Sequence, residues 1–275
     1  MNLKHSKFSV LLPILERKDI IEGFPKALES IYRNTILPDQ VVVTVDGKVS
    51  SFFKDLIVKY QEKYNLDLIW IPEKVGLDKA LNIGLEKCNN EYVFRADGDD
   101  INHKDRFEEQ LPFLDFYDVV GSNIDEYDQF GNYISTRIVP MFNDEISNMM
   151  PFRNPINHMS VAFKKSKVME VGGYPNLFLK GDYGLWIKLK AANFKFYNLE
   201  KSLVNAFTGD RMIQDRGGFR YILSELLLQK YLLQNGLTNF ITAFFMFFCR
   251  SIVFISPVYL RSFIYKKFLR INKKL

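Results

Sequence analysis

Through its first hundred residues the chain alternates short apolar runs with longer stretches of helical periodicity. The runs are KFSVLLPI (7–14), QVVVTVD (40–46), LDLIWI (66–71) and EYVFRAD (91–97), and amphipathic stretches at about 20–34, 50–64 and 77–88 separate them. Strands that are apolar nearly throughout, each followed by a helix, predict a doubly wound parallel sheet covered on both faces. Ligands of such sheets bind beyond the carboxyl ends of the strands, so Pro13, Asp46 and Asp97 to Asp99 are expected on one edge. The opening MNLKHSKFSVLLPILERKD has two lysines before an apolar run, as a signal peptide does. Pro13 interrupts that run, Glu16 to Asp19 close it and no small-residue cleavage site follows, so it reads as a first buried strand.

Composition adds little until it is resolved along the chain. With 275 residues, 47% hydrophobic and 25% charged, the chain has the make-up of a globular enzyme. Cys88 and Cys249 are too far apart in sequence to suggest a disulfide framework or a thiolate metal site, which fits a reducing cytoplasm. The net charge of +5 is uneven: beyond Glu225 there is no acid, while Lys230, Arg250, Arg261, Lys266, Lys267, Arg270, Lys273 and Lys274 supply eight positive charges, leaving residues 1–225 at −3. The same tail carries FITAFFMFFC, SIVFISPVYL and FIYKKFLR. Basic and aromatic residues at helical spacing predict a membrane-surface element that favours anionic lipid. A spanning helix fits less well, because Gln234, Asn235, Thr238 and Asn239 dilute the longest uncharged stretch, Arg250 ends it and Pro257 would kink any continuation. The basic residues sit among clustered Phe and Leu with no recognised binding motif, so nucleic acid is not the expected partner. The expected partition is a catalytic unit over 1–225, divided near residue 100, and an amphipathic tail over 226–275.

Chemistry concentrates in EYVFRADGDDI (91–101), a β-type run that ends in Asp97, Asp99 and Asp100. Carboxylates delivered to a strand end suit a hard divalent cation such as Mg²⁺ or Mn²⁺, which binds oxygen ligands together with substrate phosphates. The same spacing fits a solvated acidic loop whose Asp100 caps the next helix. Asp46, followed by Gly47, is placed to accept hydrogen bonds from a nucleobase or ribose, although Asp-Gly is also ordinary turn punctuation. No glycine-rich phosphate loop follows the first run, which argues against nicotinamide and P-loop enzymes.

Taken in order, these segments resemble glycosyltransferase family 2, the inverting enzymes of GT-A fold. FSVLLP is similar to the opening strand of that family, VDG to its nucleotide-contacting Asp, VGLDKALNIGL to its conserved helix, FRADGDDI to its D-x-D motif with the preceding Arg, and RFEEQ (106–110) to the usual sequel. Farther on, NPINHMSVAFKK (154–165), VGGYPNLFLKGDYGLWIKLKAANFKFYNL (171–199), DRGGF (215–219) and the basic tail resemble bacterial O-antigen and exopolysaccharide transferases. The resemblance implies a Rossmann-like mixed sheet, mainly parallel and flanked by helices, with a membrane-docking helical tail. It also implies that Asp99 and Asp97 hold Mn²⁺ or Mg²⁺, that Pro13, Glu16 and Asp46 cradle the base, and that Arg95 steadies Asp97 or a phosphate.

By the same resemblance Asp182 is the general base, and Arg216, beside Gly217 and Gly218, closes over the diphosphate. The family shows Glu-Asp at this point and a further Asp one residue on, whereas this chain reads Gly181, Asp182, Tyr183, Gly184. His158 and Trp186 are candidate acceptor contacts, each with a structural alternative: a lone His entering an apolar strand, and a Trp on the apolar face of a helix with Leu185 and Leu189. RFEEQ, the EYDQFGNY hairpin and NPINH are expected to border the acceptor cleft. No Q-x-x-R-W motif is present, which points to a single sugar addition rather than polymerisation. The implied activity is inverting transfer of one sugar from a nucleotide donor, a UDP-hexose such as UDP-galactose, to a polyprenyl-diphosphate-linked saccharide at the cytoplasmic face of the inner membrane. A non-catalytic sugar-nucleotide-binding protein and a nucleotidyltransferase are the rival readings.

Overall fold

A computed structural model describes residues 6–207 and 217–268. The expected alternation is found in the first half: β1 (Phe8–Ile14), α1 (Lys18–Tyr32), β2 (Gln40–Asp46), α2 (Ser51–Tyr64), β3 (Asp67–Ile71), α3 (Leu77–Lys87) and β4 (Tyr92–Arg95). Then come β5 (Ile101–Asn102), α4 (Arg106–Gln110), β6 (Val119–Tyr127), β7 (Tyr133–Arg137), α5 (Asn143–Met149), β8 (Ala162–Lys164), α6 (Lys165–Glu170), α7 (Gly181–Ala191) and β9 (Phe196–Phe207). Three helices follow among the described residues: α8 (Phe219–Gln234), α9 (Phe240–Ile255) and α10 (Val258–Phe268).

One sheet runs in the order β3-β2-β1-β4-β8-β6-β9-β5, with β7 paired to β6. The strands β3, β2, β1 and β4 are parallel, as the apolar runs predict. Beyond β4 the pairing changes: β8 is antiparallel to both β4 and β6, β5 to β9 and β7 to β6, and only β6 with β9 is parallel. The description "mainly parallel" thus holds for the first half alone, because β6, β7 and β8 are joined by routes other than β-α-β crossovers.

Alternate residues of each buried strand serve opposite faces. Phe8, Val10, Leu12 and Ile14 of β1, with Val41, Val43 and Val45 of β2, pack against Phe24 and Leu28 of α1 and Phe53 and Ile57 of α2. Leu11 and Val42 face the other way, into a core made by Leu81 and Leu85 of α3, Leu185 to Ile187 of α7, and Leu228 and Leu232 of α8. The expected boundary at residue 225 therefore falls inside α8, a helix whose Leu228 and Leu232 belong to the same hydrophobic core as β1 and β2.

A fully buried arginine ties the end of β4 to the second half. Arg106 of α4 donates to the carbonyls of Arg95 at 2.8 Å and Val161 at 3.3 Å, and to the side chains of Asn102 and Gln110. Phe107 and Gln110 are buried as well. RFEEQ thus supports the D-x-D segment from beneath, which corrects its expected place at the cleft.

The tail is more tightly fastened than its composition suggests. Arg250 Nη1 lies 2.8 Å from Oε2 of Glu225, whose side chain is wholly buried, and the guanidinium also donates to the carbonyl of Phe152. Arg261 is buried and donates to the carbonyl of Ser256 at 2.9 Å. Two of the eight cations expected to face lipid are thus turned inward, because a buried carboxylate and free carbonyls draw them there. Replacing Arg250 by Ala strands the Glu225 charge in the interior, and stability measured by urea unfolding is expected to fall by about 3–5 kcal/mol.

Candidate active site

A cavity of about 300 Å³ opens beyond the carboxyl ends of β1, β2 and β4, lined by Pro13, Arg17, Asp46, Lys74, Leu77, Arg95, Asp97 and Asp99 among others. The edge rule for wound sheets placed Pro13, Asp46 and the acidic loop together, and the chain brings them together here. Asp46 is nearly buried and accepts the backbone N–H groups of Val75 at 2.7 Å and Gly76 at 2.9 Å. Its carboxylate thereby shapes the turn that enters α3 while still lining the cavity. Glu16 is absent from the lining: it accepts Ser50 N at 2.7 Å and Ser50 Oγ at 2.5 Å, which joins the β1–α1 loop to the start of α2.

The carboxyl groups of Asp97, Asp99 and Asp100 each offer one oxygen to a cluster whose atoms all lie within 4.8 Å of one another. Arg95 is buried and forks onto both oxygens of Asp97, while its Nε has no hydrogen-bond partner among the described residues. Burial, and next the charge of Asp97, push Asp99 up to about 6. Burial above all holds Asp100 well above the ordinary carboxylate range, and it accepts the N–H of Phe207 at 3.0 Å, so it braces β9 rather than capping a helix. Packed like charges with oxygen donors are what a hard divalent cation relieves, and the donor set fits Mg²⁺ or Mn²⁺. Arg17, which the sequence reading passed over, pairs with Asp19 at 2.9 Å and reaches Asp99 at 3.7 Å.

Asp182 stands in the first turn of α7 and accepts Asn154 Nδ2 at 2.8 Å. Just before it Leu179 has φ of 58°, a left-handed conformation uncommon for a residue with a β-carbon, and it turns the chain into the helix. Asn154 opens the NPINH segment, so that segment does reach the candidate base. The buried phenol of Tyr174 lies within electrostatic reach of Arg95, Asp182, Asp78 and Asp97, and burial pushes its ionisation far above the ordinary phenol range, so it keeps its proton. It also meets His158 Nε2 at 2.9 Å. The cavity and Asp182 thus border one polar cluster, with the start of α3 between them.

The other candidates fall differently. His158 is buried, and burial holds its imidazole far below its ordinary range, so it is a neutral structural partner of Tyr174. Trp186 is fully buried with its ring 5.9 Å from that of His158, which leaves no face for a sugar to stack on. Both corrections follow the structural alternative that the apolar spacing offered. Arg216 lies outside the described residues.

The Glycosyl transferase family 2 profile matches residues 9–172, which contain every lining residue of the cavity and the acidic cluster. The chain belongs to glycosyltransferase family 2. Among curated relatives, the amylovoran biosynthesis glycosyltransferase AmsE of Erwinia amylovora is 33% identical over 263 residues, covering 94% of this chain and 98% of that one. The UDP-Gal:alpha-D-GlcNAc-diphosphoundecaprenol beta-1,3-galactosyltransferase of Escherichia coli is 35% identical over 269 residues, covering 96% and 97%. S. aureus TarS 1–349 in complex with UDP-GlcNAc shares the fold, with a TM-score of 0.66 at 19% identity over 94% of this chain and 75% of that one. This family 2 transferase is therefore an α/β protein with the mixed sheet of the GT-A type, and its relatives serve bacterial polysaccharide synthesis.

Proposed function

We propose that this transferase moves a hexose from a UDP-sugar, UDP-galactose in the first instance, to a saccharide on a polyprenyl diphosphate, with inversion at the anomeric carbon. The observation that carries the reading is the placement of Asp182, held by Asn154, across the start of α3 from a cavity lined by Asp46, Arg95, Asp97 and Asp99. The donor and acceptor named for the E. coli relative, and the UDP-GlcNAc bound by TarS, support the choice of substrates.

Each residue then has a defined task. Pro13 and Asp46 wall the nucleoside end, and Arg95 holds Asp97 in place. Asp99 and Asp97 would hold Mn²⁺ or Mg²⁺, which when bound supplies positive charge against the diphosphate. Asp182 takes the proton of the acceptor hydroxyl. That oxygen forms the new bond to the anomeric carbon, and the bond to the donor phosphate breaks with its electron pair leaving on UDP. UDP release from a panel of UDP-sugars, with and without a lipid-diphosphate-linked GlcNAc and with Mn²⁺ or EDTA, tests this. Acceptor-stimulated, EDTA-sensitive release from one donor is expected; donor binding without turnover would favour a non-catalytic role.

The acceptor explains the tail. Among the described residues no helix is long and apolar enough to cross a membrane. On α9, however, Ile241, Phe244, Phe245, Phe248, Ile252 and Ile255 are exposed at spacings that form one stripe. The inner side of the same helix brings Phe254 to 5.9 Å from Lys180 Nζ, two residues before Asp182. We place the docking element at α9 and α10 rather than from residue 226, lying in the plane of the inner-membrane surface where the acceptor is confined. The double variant Phe244→Asp, Phe248→Asp is expected to lower sedimentation with anionic vesicles by about 10²-fold and to leave UDP-sugar binding unchanged.

A further inference from the structure

The residues on either side of Asp182 are not acidic: Lys180, Gly181, Tyr183 and Gly184 surround it. The fold brings a second carboxyl there by another route. In the first turn of α3, Asp78 abuts Gly181 so closely that a β-carbon built on Gly181 would stand 1.9 Å from Asp78 Oδ1 and 2.0 Å from its Cγ. The Asp78 carboxyl occupies the volume from which a side chain at 181 would grow.

One turn along the same face of α3 the arrangement repeats. Asn82 donates to the carbonyl of Tyr174 at 2.9 Å and accepts its N–H at 2.8 Å. Gly173 is bare where Asn82 Oδ1 would stand 2.4 Å from a β-carbon. Residues four apart on a helix share a face, so Asp78 and Asn82 together seat the segment that delivers Asp182.

We propose that Asp78 is the second carboxyl of the transfer site, standing where Gly181 has no side chain, and that it acts as a positioning residue through Asp182. The inference rests on the assignment of Asp182 as the base. The groups that face Asp78 are Asp182 from α7 and the phenol of Tyr174. Burial, and then the charge of Asp182, push the Asp78 carboxyl up to about 7.

Below that pH Asp78 keeps its proton and the pair carries one charge, on Asp182. As the pH rises through it Asp78 ionises, and two like charges face each other. A proton taken from the acceptor hydroxyl by Asp182 then relieves the repulsion, so transfer gains driving force. Turnover is expected to rise through a step near pH 7.

The test is kcat/KM for the acceptor as a function of pH in the wild type, Asp78→Asn and Asp182→Asn. Asp78→Asn keeps the shape, and it is expected to lose the step, to run about tenfold slower at about pH 8 and to keep the donor KM. A variant that matches the wild type in rate and profile overturns the inference. An Asp182→Asn enzyme that remains active overturns instead the base assignment beneath it.

A second pair of variants makes the test independent of how Asp78→Asn folds. Gly181→Ala thrusts a methyl into the Asp78 carboxyl and is expected to erase the step as well. In the Asp78→Ala background the same methyl finds space, so Asp78→Ala, Gly181→Ala should be no slower than Asp78→Ala alone. Fully additive losses would show that the two positions do not share that volume and would overturn the inference.

Discussion

Replacing Asp182 by Asn is expected to lower kcat by about 10²–10⁴-fold, the usual contribution of a positioned general base. The amide keeps the size of the carboxylate and its oxygen can still accept from Asn154 Nδ2, a contact of 2.8 Å, so the start of α7 should stay in place. What is lost is the group proposed to accept the hydroxyl proton as the new bond forms. Donor affinity, measured by calorimetric titration with UDP-galactose, should be unchanged, because the cavity lining does not include Asp182. A fall in donor affinity that matched the fall in rate would move Asp182 out of the base role and into donor binding.

Asp99→Ala should act on the other half of the site and with comparable force. Asp99 lines the cavity and shares an oxygen cluster with Asp97 and Asp100. Asp100 is committed to Phe207, and Asp97 is clamped by Arg95. Among the described residues Asp99 is thus the least restrained carboxylate of the three, with Arg17 at 3.7 Å against it. Its removal is expected to reduce kcat/KM by about 10³-fold and to weaken donor binding in Mn²⁺, since charge on the leaving diphosphate would go unopposed. The two variants should therefore separate: loss of rate with binding intact for Asp182→Asn, and loss of both for Asp99→Ala. Equal donor affinity of Asp99→Ala and wild type in the presence of Mn²⁺ would refute a role for Asp99 in metal-assisted donor binding.

The first half of the sheet and its cavity were legible because their information is local. β1, β2 and β4 are continuous apolar runs, and the residues that end them, Pro13, Asp46 and Arg95 to Asp97, arrive at one edge by the geometry of a wound sheet. The second half was less so. No spacing rule announces that Asp78, in the helix LDKALNIGLEK, meets Gly181 more than a hundred residues later. The nearest signals were the bare Gly181 itself and the second bare glycine, Gly173, opposite Asn82. Glu16 was expected beside the base and Asp100 at a metal or a helix cap, yet Ser50 and the N–H of Phe207 occupy them.

In the tail, charge counting along the sequence treated Arg250 as a lipid-facing cation. Only the fold shows that it faces the buried Glu225, a partner one helix away. Trp186 illustrates the same limit from the other side: its spacing with Leu185 and Leu189 signals burial, and burial is its state. Long-range pairing of charged groups is decided by which helices meet, and that is not written in local periodicity.

The most direct test of the account is the anomeric configuration of the linkage formed when the purified protein, in detergent with Mn²⁺, transfers galactose from UDP-α-galactose to a lipid-diphosphate-linked GlcNAc. Proton NMR of the product is predicted to show a β-linkage, the outcome of one displacement with Asp182 as base on the face opposite the leaving UDP. An α-linkage would contradict that single displacement, and with it the role assigned to Asp182.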